Sequence, residues 1–182
     1  MNGQNELFDS SHKAGSSAGK EVHAIDPRLH FKRLGRELSM QFLFQCDLAG
    51  MDELAEKLNN FWLQAELSGE FPDGRVFRKA RSYAEKIIAG VCEHETEIDS
   101  IICKVSDRWD ISRMSAVDRN IIRVAIYELC YCPDIPVLVS INEAIEIAKE
   151  FSSEKSGMFI NGILNSVKDT LPPDAKTPAG KA

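Results

Sequence analysis

Four basic side chains near residue 30 have the type and spacing to bind phosphate groups. They are Arg28, Lys32, Arg33 and Arg36. A helix turns by about 100° per residue, so the last three are predicted to project away from the apolar stripe of the same segment. Exposed cations on one face neutralise nucleic-acid phosphates and release counterions. The alternative is an ordinary solvated face, which is what most charge runs are.

An aromatic residue beside a cation near the carboxyl end is the second candidate contact. Phe159 lies on the flank of a helical apolar stripe, with Lys155 four residues before it and Gly162 three residues after it. This arrangement is typical of aromatics that stack on an unpaired base of single-stranded RNA. The alternative is a rim residue that packs on a neighbouring helix.

The sequence lacks the motifs that carry most enzymatic chemistry. It contains no GxGxxG, no phosphate loop ending in GK[ST], no GxSxG and no HExxH. The five cysteines include no CxxC pair, and the four histidines show no metal-ligand spacing. We therefore expect a non-catalytic protein with reduced thiols, no cofactor and no metal.

Composition limits the kind of partner. The chain of 182 residues has 22 basic and 28 acidic residues, a net charge of −6, so any nucleic-acid contact must be local. The segment EHETEID is either a solvated acidic face or a surface for a basic protein partner. No apolar run approaches the roughly 18 residues that span a bilayer, and no apolar leader follows the first residues. A cytoplasmic protein is expected.

Helical periodicity runs through the chain between two polar tails. Residues 1–26 and 172–182 are predicted to be disordered because they carry few large apolar groups. The body, residues 27–171, is predicted to be an all-α bundle of about seven helices. Its central helix should begin at Ser115, where Asp118 completes a possible capping box, and end before Pro133. That helix is apolar on nearly all sides, which is typical of a buried element.

Four blocks, in this order, resemble the NusB family of transcription antitermination factors: RELSMQFLFQCDLAG, WDISRMSAVDRNIIRVAIYEL, DIPVLVSINEAIEIAKEF and SGMFINGILNSV. The resemblance covers about residues 29–170. It implies a helical bundle of two packed subdomains, without catalysis or cofactor. It also implies pairing with NusE, a small-subunit ribosomal protein. The pair would bind boxA RNA in ribosomal RNA operon leaders and help the elongation complex pass termination signals.

The resemblance also implies roles for individual residues. The Arg-rich run of the family corresponds here to KRLGRE, in which Gly35 replaces a common alanine, and the aromatic of its FVNG-like block corresponds to Phe159. Lys155 occupies a position that is often acidic. The predicted RNA-binding residues are Arg28, Lys32, Arg33, Arg36, Lys155 and Phe159. Five further matching residues are predicted to be structural, the first as a helix cap and the others as partly buried polar pairs: Asp118, Arg119, Glu128, Asn142 and Glu143.

Two other functions remain open at this stage, and the residues that bind a partner are not predicted. In the first, the chain is a protein-only adaptor that binds NusE while NusE holds most of the RNA. In the second, it is the NusB-like domain of a ribosomal RNA cytosine methyltransferase. The second is disfavoured because only about ten residues follow the last predicted helix. A homodimer is also possible, since some relatives self-associate.

Overall fold

The chain folds as a helical bundle in a computed structural model that describes residues 27–71, 74–106 and 110–172, with side chains from residue 31 onward. The elements, in chain order, are α1 (Pro27–Ala49), α2 (Leu54–Ser68), α3 (Arg75–Glu93), α4 (Glu95–Val105), a 3₁₀ helix (Ile111–Arg113), α5 (Ala116–Tyr131), α6 (Val137–Phe151) and α7 (Glu154–Thr170). The predicted all-α bundle is confirmed. The tail predictions for residues 1–26 and 173–182 lie outside the described residues.

Local backbone chemistry sets the helix ends. Gly50 and Gly69 take left-handed backbone angles, φ +82° and +67°, directly after α1 and α2. Lys57 Nζ donates to the carbonyl oxygens of Ala49 and Gly50, at 3.2 and 2.8 Å, and so caps α1. Helix α2 begins at Leu54, because Glu53 before it takes a left-handed backbone angle, φ +55°.

Two hydrophobic cores lie inside the bundle, one for each of the two packed subdomains. The amino-terminal core joins α1, α2 and α3 around the buried side chains of Phe42 and Trp62. The carboxyl-terminal core surrounds α5, whose residues 120–129 are all buried, as its apolar sequence predicts. Helix α1 contributes to both cores, with Phe42 in one and Met40 in the other. No helix among the described residues has the length and apolar character to cross a bilayer.

Gly35 lets α1 approach α3 closely. A Cβ atom at this position would lie 2.7 Å from Cδ1 of Tyr83 and 3.0 Å from the carbonyl oxygen of Ala80. Gly162 is also helical and has open space around its Cα. The two glycines therefore differ in packing but share the same helix-propensity penalty.

We expect Gly35→Ala to destabilise the protein by about 1 kcal/mol, because overpacking of about 1–3 kcal/mol outweighs a propensity gain of up to about 1 kcal/mol. Gly162→Ala is the matched control, and it should stabilise by up to about 1 kcal/mol. Urea unfolding of both variants measures the two signs. A stabilising effect at both positions would show that α3 moves away at little cost.

Candidate nucleic-acid interface

The cations of α1 do not form the open positive face that their spacing predicts. Arg36 is only 3% exposed. Its Nε donates to Glu128 at 2.8 Å and its Nη1 donates to Glu143 at 3.1 Å. The prediction that Arg36 projects away from the core is wrong, because α5 and α6 cover that side of α1 and present carboxylates to it.

Two other basic residues of α1, Arg33 and Lys32, have side chains that are partly exposed to solvent. Arg33 donates twice to Glu143, at 2.6 and 2.8 Å, and its side chain remains 29% exposed. Lys32 lies 3.9 Å from Asp134, 5.5 Å from the centre of the Tyr83 ring, and is also 29% exposed. The Arg28 side chain lies outside the described residues. The α1 surface is therefore a weaker cationic site than the sequence indicates.

Glu128 is the centre of the network that holds Arg36. It has no exposed surface and accepts hydrogen bonds from Arg36, from the Tyr83 hydroxyl and from Ser140 Oγ, the last at 2.7 Å. Burial and the Glu128 charge raise the pKa of Tyr83 far above its ordinary value, so this hydroxyl stays a donor. The network joins α1, α3, α5 and α6, which makes Arg36 a structural residue.

A second polar network uses the acidic segment EHETEID. Arg123 on α5 is 7% exposed and lies 2.7 Å from Asp99 and 3.0 Å from Glu95. It also pairs with Asp47 of α1 at 3.0 Å. The acidic residues serve the fold here, so neither a solvated face nor a partner surface explains Asp99 and Glu95. Arg119 joins the network through Asp47, at 2.7 Å.

Asp47 is held ionised by these contacts. Burial alone would raise its pKa, but hydrogen bonds from Arg119 and Asn120 outweigh burial and lower the pKa below its ordinary value. The prediction that Arg119, Glu128 and Glu143 form partly buried polar pairs is confirmed by these contacts. For Asn142 it is wrong, because the side chain is exposed.

Glu37 lies on the seam between α1 and α6 and titrates near neutral pH. Burial and the nearby charge of Glu150 raise its pKa to about 7, although Arg33 opposes the shift. The folded protein therefore binds more protons than the unfolded chain between about pH 4.5 and pH 7. This site makes stability fall as the pH rises through that interval.

We expect Glu37→Gln to match the wild type at pH 5 and to be more stable at pH 8 by on the order of 1 kcal/mol, a value reduced because the site is partly open to solvent. Urea unfolding from pH 5 to pH 8 measures the difference. Glu150→Gln is the control, since it removes the repelling charge, lowers the Glu37 pKa, and should make the loss of stability smaller and complete at a lower pH. Parallel curves for all three proteins would contradict this assignment.

The clearest concave surface near the predicted contacts is a cleft of about 340 Å³. It lies where the 3₁₀ helix and the first turns of α5 and α7 meet. Its lining residues are Arg113, Met114, Ser115, Asp118, Lys155, Ser156 and Phe159. It brings together Lys155 and Phe159, as their spacing predicts, and Phe159 also packs against the carboxyl-terminal core. None of the α1 cations whose side chains are described, Lys32, Arg33 and Arg36, lines it, so these predicted contacts fall into two groups.

Two helix starts face this cleft. Ser115 Oγ accepts from the Asp118 backbone N–H at 3.0 Å, and Ser153 Oγ accepts from the Ser156 N–H at 3.1 Å. The prediction that Asp118 caps α5 needs correction, because Ser115 is the cap and the Asp118 carboxylate accepts from Ser156 Oγ at 3.1 Å. The positive ends of both helix dipoles therefore lie at the cleft.

Arg113 is the cleft residue that sequence reasoning missed. It is an isolated, exposed cation in a three-residue 3₁₀ helix, outside any charge run or periodic pattern. Arg113 shares a cleft lining with Lys155 only because α7 packs beside α5, so no local signal could have indicated it.

These features define an all-helical protein with local cationic surfaces on an acidic chain. A sequence model described as the NusB family matches residues 33–169. The transcription antitermination protein NusB of Geobacter sulfurreducens is 45% identical over 141 residues, which are 78% of this chain and 96% of that protein. The chain belongs to the NusB family.

Solved structures show the same fold. NusB of T. maritima is 35% identical, with a TM-score of 0.67 over 80% of this chain and 95% of that one. A crystal structure of the antitermination factors NusB and NusE in complex with double-stranded RNA contains a similar chain. That chain is 26% identical, with a TM-score of 0.65, and the match covers 78% of this chain and 98% of that one.

Proposed function

We propose that the protein is a cytoplasmic, non-catalytic antitermination factor that binds boxA-type RNA of ribosomal RNA operon leaders together with NusE. The observation that carries the proposal is its family membership over nearly the full length of curated relatives named for antitermination. A similar chain has been solved with NusE and RNA, which supports the choice of partners.

The chain would act as a rigid platform with two RNA-contacting regions. At α1, Arg28, Lys32 and Arg33 would contact phosphates, while Arg36 holds α1 in place. At the cleft, Lys155 would contact a phosphate and Phe159 would stack on a base. Phosphate contacts position an RNA without specifying its sequence, so base contacts at the cleft and on NusE would provide selectivity.

The second candidate is a protein-only adaptor, in which NusE holds most of the RNA. The neutralisation of Arg33 and Arg36 by Glu143 and Glu128 favours it, because these cations contribute little to counterion release. Both functions require NusE. They differ in whether this chain alone binds RNA.

Titration of boxA-type RNA into the full chain, with and without NusE, separates the two functions. We expect the chain alone to bind with an affinity that falls as salt rises, and NusE to tighten binding. Replacing Lys32 and Lys155 together by alanine should flatten the logarithmic salt dependence by about 1.4, since each of the two lost phosphate contacts on a single strand removes about 0.7. Binding only with NusE, and unaffected by the variant, would favour the adaptor. No binding in either case would overturn both.

A further inference from the structure

The outward side of α3 carries four cations that have no carboxylate partner within the described residues. They follow one another at helical spacing and are all exposed: Arg75, Arg78, Lys79 and Lys86. We call these four residues the basic stripe, which extends over three turns, about 16 Å of helix. Arg81 on the flank of α3 differs from them, because it pairs with Glu66 and Glu85. The stripe is therefore available positive charge on a chain whose net charge is −6.

The place of the stripe on α3 disfavours a role in folding. Arg75 and Arg78 are the first and fourth residues of α3, and the first turn of this helix contains no acidic residue. Cations at this end are repelled by the positive end of the helix dipole, which favours carboxylates instead. Gly74, the residue before the helix, provides no side-chain hydrogen bond to it. These charges therefore weaken the start of α3, and a ligand outside the fold explains them better than packing does.

The stripe is continuous with the cationic start of α1. Lys79 Nζ lies 5.5 Å from the centre of the Phe31 ring, and Lys32 Nζ lies 5.5 Å from the centre of the Tyr83 ring. The two rings meet edge to face, with 6.4 Å between their centres. This ring pair joins the two lysines, so the partly exposed Lys32 extends the positive surface from α3 onto α1.

The stripe is separate from the cleft at the start of α5. No stripe residue lines that cleft. Tyr83, which neighbours the stripe, contacts Glu128, whereas the cleft is lined by Asp118 near the other end of α5. The part of α5 between these two residues is on the order of 15 Å long. A ligand that uses both surfaces must therefore continue along the protein beyond the cleft.

The surroundings of the stripe indicate which polyanion it fits. None of the large apolar side chains that are exposed in the described part of the chain belongs to α3, whereas a protein interface has an apolar centre. Sites for single-stranded RNA combine cations with aromatic rings that stack on bases. The rings beside the stripe, Phe31 and Tyr83, already contact each other and the two lysines. Double-helical RNA is recognised mostly by its shape, its phosphates and its ribose hydroxyls, which suits a row of cations without either feature.

We propose that the basic stripe of α3 binds the phosphate backbone of a double-helical RNA segment that adjoins the boxA-type sequence. This inference rests on the proposed function and adds a second RNA surface, with Lys32 at its edge. Phosphate contacts position an RNA without specifying its sequence, so the stripe orients the RNA on the bundle while the boxA-type segment is selected elsewhere.

The first test compares three RNAs with the full chain bound to NusE. One is the boxA-type segment alone, one adds about ten unpaired nucleotides, within the roughly 4–16 that a single-strand site covers, and one adds a hairpin stem of the same length. We expect the hairpin to tighten binding about tenfold at low salt and to steepen the logarithmic salt dependence by up to about 3.6, since each of four duplex phosphate contacts contributes about 0.9. Equal tightening by the unpaired flank would overturn the duplex. No tightening by either flank would overturn the proposal and would leave an acidic protein segment as the occupant to examine.

The second test changes the stripe. Replacing all four of its cations by alanine should abolish the gain from the hairpin and leave the affinity for the boxA-type segment alone unchanged. Arg78→Glu should remove most of the same gain. Lys104→Glu is the matched control, because Lys104 is exposed on α4, forms no salt bridge within the described ranges and does not line the cleft. An equal loss from Lys104→Glu would show that overall charge, and not the stripe, is responsible.

The outcomes for the stripe and for the proposed function are distinguishable. If wild-type protein with NusE does not bind the boxA-type segment, the function itself fails. If it binds that segment and the hairpin adds nothing, the stripe proposal fails and the function stands. Thermal unfolding checks the variants, and Arg78→Glu should melt no lower than the wild type, because a carboxylate suits the start of a helix. A variant that is folded and still gains from the hairpin as the wild type does would overturn the stripe.

Discussion

Replacing Glu128 by alanine is expected to destabilise the folded protein by about 3–5 kcal/mol, because it removes the fully buried carboxylate that pairs with Arg36 and leaves that buried arginine with the more exposed Glu143 as its partner. Arg36 is 3% exposed and Glu128 has no exposed surface, so water cannot take the place of the missing carboxylate. The Tyr83 and Ser140 hydroxyls lose their acceptor in the same substitution. Urea unfolding followed by helical circular dichroism measures the loss.

Two further variants test whether charge is the cause. Arg36→Met combined with Glu128→Leu removes both charges and should recover a large part of the loss, since apolar pairs of similar volume often replace buried ion pairs. Arg33→Ala should cost only up to about 1 kcal/mol because Arg33 is partly exposed. A double variant as unstable as Glu128→Ala would mean that packing, and not the unmatched charge, dominates.

The helices and the buried faces follow from local sequence patterns. Ile160, Ile163, Leu164 and Val167 have helical spacing in the sequence, and all four are buried in α7. The same holds for the continuous apolar segment of α5. Helical periodicity predicts the buried face correctly here, because the side that a helix buries depends on residues within a few turns of one another.

The candidate site was harder to predict because its members come together from distant parts of the chain. Arg36 lies 92 residues from Glu128 and 107 residues from Glu143. The helical pattern assigns Arg36 to the face away from the apolar stripe, but it does not show that α5 and α6 cover that face. A helix can be covered by neighbours on two sides. In the sequence, a polar residue on the second of these sides cannot be distinguished from a polar residue in solvent.

The proximity of Lys155 and Phe159 was easier to predict because the two residues lie one helical turn apart in the same helix. Their third cationic neighbour, Arg113, comes from the 3₁₀ helix and reaches the cleft only when α7 packs beside α5. The sequence could therefore indicate part of the cleft and not its full lining. The same reason explains why the acidic segment EHETEID suggested a surface, while Arg123 of α5 draws Asp99 into a network.

Replacing Trp62 by alanine should destabilise the protein by about 3–5 kcal/mol through loss of a large core side chain. Trp62 is 2% exposed and contacts the rings of Phe61 and Phe77 edge to face. Its Nε1 has no acceptor among the described residues. Trp62→Phe is therefore a mild control, because it keeps a ring in the core and removes an unsatisfied donor.

The Trp62→Ala substitution also shows whether the two subdomains unfold together. Cys46 is buried in the amino-terminal core and Cys132 in the carboxyl-terminal core, so the rate of thiol labelling reports the opening of each. Helix α1 supplies side chains to both cores and is held to α5 by the Arg36 and Asp47 networks. We therefore expect Trp62→Ala to accelerate labelling of both thiols, by about a hundredfold or more under native conditions. Acceleration at Cys46 with no change at Cys132 would mean that the amino-terminal subdomain opens alone, and α1 could not then serve as a rigid part of an RNA platform.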